Sequence, residues 1–160
     1  MAVDMFLKLD GIKGEAKDSK HKETIDVLAW SWGMSQSGTF HAGGGGGAGK
    51  VNVQDISITK YVDKSTAALM MHLATGKHIK DGTLYVRKAG EKPLEYIKIT
   101  IDPVLVTAVS TGGSGGEDRL TENVTLNFGK FKVEYQEQKP DGSGTPAGEF
   151  VYNIQENAKE

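Results

Sequence analysis

The sequence contains no cysteine, which excludes disulfide bonds, thiolate nucleophiles and zinc–thiolate sites. Long apolar runs are also missing, and no segment approaches the roughly 20 apolar residues that cross a bilayer as a helix. Neither sign of charge dominates, because 19 Lys and Arg residues against 21 Asp and Glu residues give a net charge of −2. This balance provides no general electrostatic reason to expect a nucleic acid or an anionic membrane as a partner.

The first ten residues, MAVDMFLKLD, lack the basic segment and apolar core that mark a secretory signal. They alternate between apolar and polar side chains instead, which predicts a half-buried strand. We therefore expect no N-terminal export signal. A chain of 160 residues with 38% apolar residues has the size of one domain, and we expect residues 1–160 to form a single domain.

Most of the chain alternates in the same way, but the apolar phase slips inside several segments. Ile25 and Val27 are odd-numbered, whereas Trp30 and Trp32 are even-numbered. A similar change occurs at Gly129. Because side chains repeat every two residues in a strand, such a slip requires a bulge or a bend. Bent strands are typical of barrels and of orthogonally packed sheets.

One helix is expected between two groups of strands. Asp63 or Ser65 can cap its first turn, and Gly76 stands where a left-handed C-terminal residue is favoured. Its apolar spacing predicts one buried face formed by Leu69, Met70 and Leu73.

Further strands are predicted on the C-terminal side of this helix. Residues 80–86, 94–101 and 104–110 alternate, and a short last strand is expected over residues 151–154. Asp102 and Pro103 predict a turn or corner between the second and third of these strands. The fold class is therefore mainly β: an antiparallel β-barrel of about eight bent strands with one flanking α-helix.

Glycine is abundant, with 21 residues concentrated in three predicted loops over 38–50, 111–118 and 140–148. The first loop contains HAGGGGGAGKV, in which Gly44, Gly49 and Lys50 have the spacing of a phosphate-binding loop. Val51 replaces the Mg²⁺-binding Ser or Thr, and the next residues are strand-like rather than helical. A nucleotide-binding enzyme is therefore an alternative hypothesis, and a monomeric ligand-binding β-barrel is another.

No other pattern points to catalysis. The four histidines do not have the spacing of a helical zinc site, and no serine lies in a nucleophile-elbow motif. We expect no catalytic residues, no metal and no cofactor. Several segments are apolar on both strand faces, for example Met5 beside Phe6. Together with the long glycine loops, which cost conformational entropy to order, this pattern suggests a self-associating β protein.

Two motifs resemble the haemolysin-coregulated protein (Hcp) family, the tube component of bacterial type VI secretion systems. They are LAWSWGMSQSG at residues 28–38 and STGGSGGEDRLTENVTLNF at residues 110–128. Residues 1–6 and 44–65 match as well, and the resemblance covers most of residues 1–135. It weakens over residues 77–94 and after residue 136, so residues 137–160 form a variable tail of the Hcp-like tube domain.

The resemblance implies a phage tail-tube-like barrel that forms hexameric rings stacked into a hollow tube. The implied partners are other copies of the chain, a contractile sheath, a spike protein of the VgrG type and small effector proteins stabilised in the lumen. The protein would be cytoplasmic before firing and then secreted, without membrane insertion and without catalytic activity. Ser31 matches a lumen-facing serine, and the implied subunit-contact loop comprises Gly43, Gly44, Gly45, Gly46, Gly47, Ala48, Gly49 and Lys50.

Overall fold

The computed structural model describes residues 3–38, 40–41, 50–89 and 93–160. One helix, α1 (Ser65–Thr75), and ten strands lie in these residues. The strands are β1 (Val3–Leu9), β2 (Ile25–Ser31), β3 (Met34–Ser35), β4 (Asn52–Val53), β5 (Ile56–Tyr61), β6 (Gly82–Lys88), β7 (Leu94–Thr111), β8 (Thr121–Gln138), β9 (Gly144–Asn153) and β10 (Ala158–Lys159).

Six strands close on themselves as an antiparallel barrel. Their order is β8-β5-β2-β1-β6-β7, and β7 pairs again with β8 to complete the ring. β9 extends the sheet beside the C-terminal half of β8, and β10 pairs with the end of β9. β3 and β4 form a separate two-stranded ribbon. The predicted fold class, a mainly β barrel of bent strands with one helix, is confirmed.

Both slips of the apolar phase occur in the structure, and the one in β2 coincides with an irregularity in strand pairing. The register between β2 and β5 shifts between Val27 and Ala29, which marks a bulge. In β8, buried positions are even-numbered up to Phe128 and then change at the buried Gly129 to odd-numbered Phe131. A further change, from odd-numbered Val53 to even-numbered Ile56, falls at the break between two strands, β4 and β5.

The apolar side of every barrel strand faces one common core. Fully buried members from different strands include Leu7, Ile25, Ile58 and Leu126. Trp30 and Trp32 are partly buried against this core. Trp32 lies edge-on to Phe131 at a centroid distance of 4.9 Å.

The second apolar face of β1 is covered within the same chain. Phe6 is 5% exposed because the 11–24 loop folds over the outer surface of the barrel, where the His21 ring stacks on Phe6 at 4.7 Å. The apolar residues on both faces of β1 therefore give no indication of a subunit contact, contrary to the expectation from the sequence.

α1 begins and ends where the sequence predicts. The Ser65 N–H donates to Asp63 Oδ1 over 2.9 Å, and Gly76 ends the helix with a φ of 68°. The predicted apolar face is only partly correct, because Leu69 is buried whereas Met70 and Leu73 are 40% and 37% exposed. Ser65 and His72 occupy the buried face with Leu69 instead. In the described ranges, helical structure is too short to cross a bilayer.

Two boundaries differ from the sequence-based prediction. Residues 94–101 and 104–110 belong to one strand, β7, which continues through the cis Asp102–Pro103 peptide. β8 pairs with β7 on both sides of Pro103, so the missing proline N–H does not end the strand. The predicted 140–148 loop is shorter, because β9 begins at Gly144 and pairs with β8.

Candidate functional site

One side of the barrel carries a surface of small, uncharged residues, which we call the polar face. It is formed by two rows of Cα partners that cross β2, β5, β8 and β7. All of its members are exposed or half-buried, and none is ionisable; they are Ala29, Ser31, Ser57, Thr59, Ala108, Ser110, Asn123 and Thr125. An exposed area of this kind is unusual in a chain in which 25% of residues are charged.

Strand alternation determines the direction of these side chains. Between the two rows lies a third row of partners whose side chains point into the barrel, including Trp30, Ile58 and Val124. Because neighbouring residues of a strand point to opposite faces, Ser31 points away from the core next to the inward-facing Trp30. The exposure of Ser31 agrees with this direction.

Side-chain hydrogen bonds link neighbouring strands within the polar face and at one end of it. Thr59 Oγ1 donates to Asn123 Oδ1 over 2.7 Å, joining β5 to β8. At one end of the face, Asp55 accepts hydrogen bonds from Thr107 Oγ1 at 3.1 Å and Asn127 Nδ2 at 2.7 Å. These contacts hold several side chains in fixed positions on the surface.

The four strands that carry the polar face have two unpaired edges. β1 pairs with β2 only at Ile25 and Asp26, so residues 28–31 have β5 as a partner on one side only. β6 pairs with β7 only up to residue 101, and beyond the Ile79–Val104 bridge residues 105–111 have β8 alone. Within the described part of the chain, both edges present backbone groups to which another strand can bind.

The surface around β8 and β9 is charged, in contrast to the polar face. Lys132 Nζ lies 3.2 Å from Glu134 Oε1 and 3.4 Å from Glu149 Oε1. Lys130 pairs with Glu160 in the same region. Hydrogen bonding to Glu134 and Glu149 raises the pKa of Lys132, because both partners favour its charged form. The molecule therefore carries an uncharged surface and a separate charged surface.

A buried polar cluster fixes the start of α1 to the barrel beneath one end of the polar face. Lys60 and Glu122 are fully buried Cα partners whose side chains form an ion pair. Asp63 Oδ1 lies 3.0 Å from Lys60 Nζ, and Thr66 Oγ1 donates to Glu122 Oε1 over 2.7 Å. Breaking a buried ion pair by removing one partner strongly lowers the free energy of unfolding. Because Asp63 and Thr66 contact this pair, the cluster fixes the position at which the helix begins.

The glycine-rich segment contributes little to the described site. Gly43, Gly44, Gly45, Gly46, Gly47, Ala48 and Gly49 lie outside the described residues. Lys50 is exposed and lines a shallow groove of about 300 Å³ together with Phe150 and Tyr152. The residues that follow Lys50 form β4 rather than a helix, so the helix N-terminus of a phosphate-binding loop is missing there.

Ser31 and Lys50 are therefore not brought together in one described site. The other members of the polar face were not identified from the sequence, although alternation in β5 and β8 already places Ser57, Thr59, Asn123 and Thr125 opposite the core residues. What the sequence could not provide is the strand order, which joins four separate segments into one surface. Among the described residues, no group of three or more His, Asp or Glu side chains is arranged to hold a metal ion.

Comparison with known proteins gives consistent results. Residues 6–135 match the family model described as "Type VI secretion system effector, Hcp". Protein hcp1 of Pseudomonas aeruginosa is 62% identical over 162 residues, with 99% of each chain covered. Hcp1 from Salmonella typhimurium is 40% identical with a TM-score of 0.81 and full coverage of both chains. A type VI secretion system effector from Yersinia pestis is 34% identical with a TM-score of 0.74, covering 94% of this chain and 99% of that one.

Proposed function

Because this chain belongs to the Hcp family of type VI secretion system proteins, we propose that it is a structural subunit of the secretion tube. In this proposal, six copies form a ring, rings stack into a hollow tube, and small effector proteins are carried in the lumen. The subunit has no catalytic role, and it assembles in the cytoplasm before it is secreted with the tube.

The observation that carries this proposal is the pair of unpaired edges on β2 and β7. The four strands between these edges alternate in direction, so β2 and β7 run antiparallel to each other. When copies are related by rotation, β2 of one copy can therefore meet β7 of the next as an antiparallel pair. An even number of strands per copy allows the sheet to continue around a closed ring, which removes both edges.

The polar face supports a role as the lumen wall. If the four-stranded sheet continues around a ring, the barrel cores lie on one side of it and the polar faces lie on the other. Small uncharged side chains repel neither acidic nor basic cargo, while hydroxyl and amide groups offer hydrogen bonds. A wall of this kind suits small effector proteins of varied charge, with Ser31 among the residues that contact them.

The segment Gly43–Lys50 is proposed to contact a neighbouring subunit or ring. Phe40, close to its start, is 87% exposed, and the apolar ring of such a side chain gains free energy when a partner covers it. At the tube surface and tip, the contractile sheath and a VgrG-type spike protein are the proposed partners. Deleting two glycines within residues 43–47 should preserve single rings and impair stacking, as judged by electron microscopy.

The proposal is tested first by the assembly state of the purified protein. Negative-stain images should show hollow rings, and light scattering during size-exclusion chromatography should give about six times the 17.2 kDa subunit mass. Since the chain has no cysteine, paired thiols introduced on residues 28–31 and 105–111 should form disulfide-linked multimers under oxidation. A strictly monomeric protein at all concentrations would contradict the proposal.

The cargo role is tested with Ser31→Gln. The longer side chain projects into the proposed lumen and does not reach the barrel core. Rings should therefore remain intact, while they retain less of a co-expressed small effector than wild-type rings do. The matched control is Ala147→Gln on the exposed part of β9, outside the polar face. The measurement is the amount of effector that copurifies with the rings, and equal amounts in both variants would remove Ser31 from the contact surface.

A further inference from the structure

An uncharged helix surface lies beside one of the two open sheet edges. The sequence of α1, STAALMMHLAT, contains no Asp, Glu, Lys or Arg. Ser65, Leu69 and His72 face the barrel, whereas Met70 and Met71 are 40% and 45% exposed. The solvent side of a surface helix is normally polar or charged. Two exposed, adaptable methionine side chains are instead typical of a contact surface.

The position of α1 relates this surface to β7. The helix starts at the cluster of Lys60 and Glu122, where β8 begins and pairs with the end of β5 on one side and with the end of β7 on the other. After the helix, Ile79 bridges to Val104, where the unpaired part of β7 begins. α1 packs against β7, so it runs alongside the open edge of residues 105–111.

We infer that the exposed side of α1, centred on Met70 and Met71, is a contact surface for the β2 region of the next copy of this chain. A strand that binds the open edge of β7 lies about 4.8 Å beyond it. The bound β2 strand of the next copy and the residues on either side of it then contact α1. This inference rests on the proposed ring, and it extends the subunit contact from the strand edges to the helix.

The β2 side of the contact offers a complementary apolar residue. The bulge between Val27 and Ala29 leaves Leu28 as an extra residue at the start of the unpaired part of β2, and Leu28 is 40% exposed. Neither Leu28 nor the two methionines carries a charge, so burying them together leaves no unpaired ion. The contact joins two different surfaces of the chain, as a head-to-tail ring requires.

The test introduces one negative charge on each of two surfaces. Met71→Glu should raise the concentration at which rings dissociate by about 100-fold, because a carboxylate without a partner would be buried in the contact. Ala147→Glu makes the same change of charge on exposed β9 and should leave assembly unchanged. Sedimentation velocity over a concentration series measures both. Equal assembly of the two variants would overturn the inference.

A second measurement does not depend on whether Met71→Glu folds. Met71→Cys and Ala147→Cys each provide the only thiol of the chain, and both are treated with a maleimide in assembled rings and after dissociation. Cys at position 71 should react at least about tenfold more slowly in rings, while Cys at position 147 should react equally in both states. Equal reactivity of both thiols in rings would refute the contact. If the wild-type protein never associates, the proposed ring function fails and this inference fails with it.

Discussion

At the residue scale, the best-defined electrostatic contact holds the 11–24 loop to the barrel. Arg87, 6% exposed, donates from Nη2 to Asp18 Oδ1 at 2.7 Å and from Nη1 to Asp18 Oδ2 at 3.0 Å. Asp4 accepts a further bond from Nη2 at 3.1 Å. The bidentate contact with Arg87 lowers the pKa of Asp18 to about 2, and the backbone N–H of Lys20 contributes in the same direction.

This contact should make stability depend on pH in the acid range. The pKa of Asp18 is lower in the folded protein than its ordinary value of 3.8, so its stabilising contribution is complete above about pH 4. It is lost as the pH falls towards 2, where Asp18 becomes protonated. Asp18→Asn should lower the free energy of unfolding by about 1 kcal/mol at pH 7, a modest value because the carboxylate is partly exposed.

The measurement is urea unfolding of both proteins at one protein concentration between pH 7 and pH 2. The difference in unfolding free energy should shrink as the pH falls below 4. Asp10→Asn, which changes an exposed carboxylate outside this contact, is the control. A difference that stays constant down to pH 2 would show that the Asp18–Arg87 ion pair does not contribute to stability.

At the element scale, the 11–24 loop depends on a close approach between two of its own backbone segments. The N–H of Gly14 donates to the carbonyl of Glu23 over 2.8 Å, and Ala16 pairs with Thr24 and Glu23. A Cβ atom at position 14 would lie 2.4 Å from the carbonyl oxygen of Thr24. Because both groups are backbone, the clash cannot be relieved by rotation of a side chain.

Gly14→Ala should therefore lift the loop and expose Phe6, lowering the free energy of unfolding by about 2–3 kcal/mol. Gly115→Ala is the matched control, since no atom lies within 4 Å of the corresponding Cβ position. Thermal or urea unfolding compares the two variants, and limited proteolysis after the lysines of the loop reports its detachment. Similar stability of both variants would mean that the loop tolerates the extra methyl group.

Elements with a strong local pattern could be predicted from the sequence, whereas features that depend on pairing could not. The spacing of Leu69 and the position of Gly76 located α1 correctly. The turn predicted at Pro103 is wrong, because pairing with β8 on both sides of this residue keeps β7 extended there. The predicted burial of Met70 and Leu73 is also wrong, since a helix that packs beside a sheet edge buries only a narrow strip of its surface.

At the scale of the whole molecule, the resemblance singles out Ser31 and strand alternation gives its outward direction, but the surface around it needed the strand order. The unpaired edges of β2 and β7 also follow from the strand order, and no single segment of the sequence predicts them. The neutral polar face and the charged surface around Lys132 then give the molecule two different sides. In the proposed ring, the polar face becomes the lumen side.

The proposed ring couples folding to assembly, and this coupling can be measured. If only assembled subunits benefit from the edge contacts, mass action stabilises the folded state as the protein concentration rises. For a six-membered ring, a tenfold higher concentration contributes about 1 kcal/mol per subunit, which should raise the unfolding midpoint by about 3 °C. Scanning calorimetry of the wild-type protein over a 100-fold concentration range should show this increase. Met71→Glu, measured below its own assembly concentration, should have a constant midpoint, and a constant midpoint for both proteins would indicate that the barrel folds and remains as a monomer.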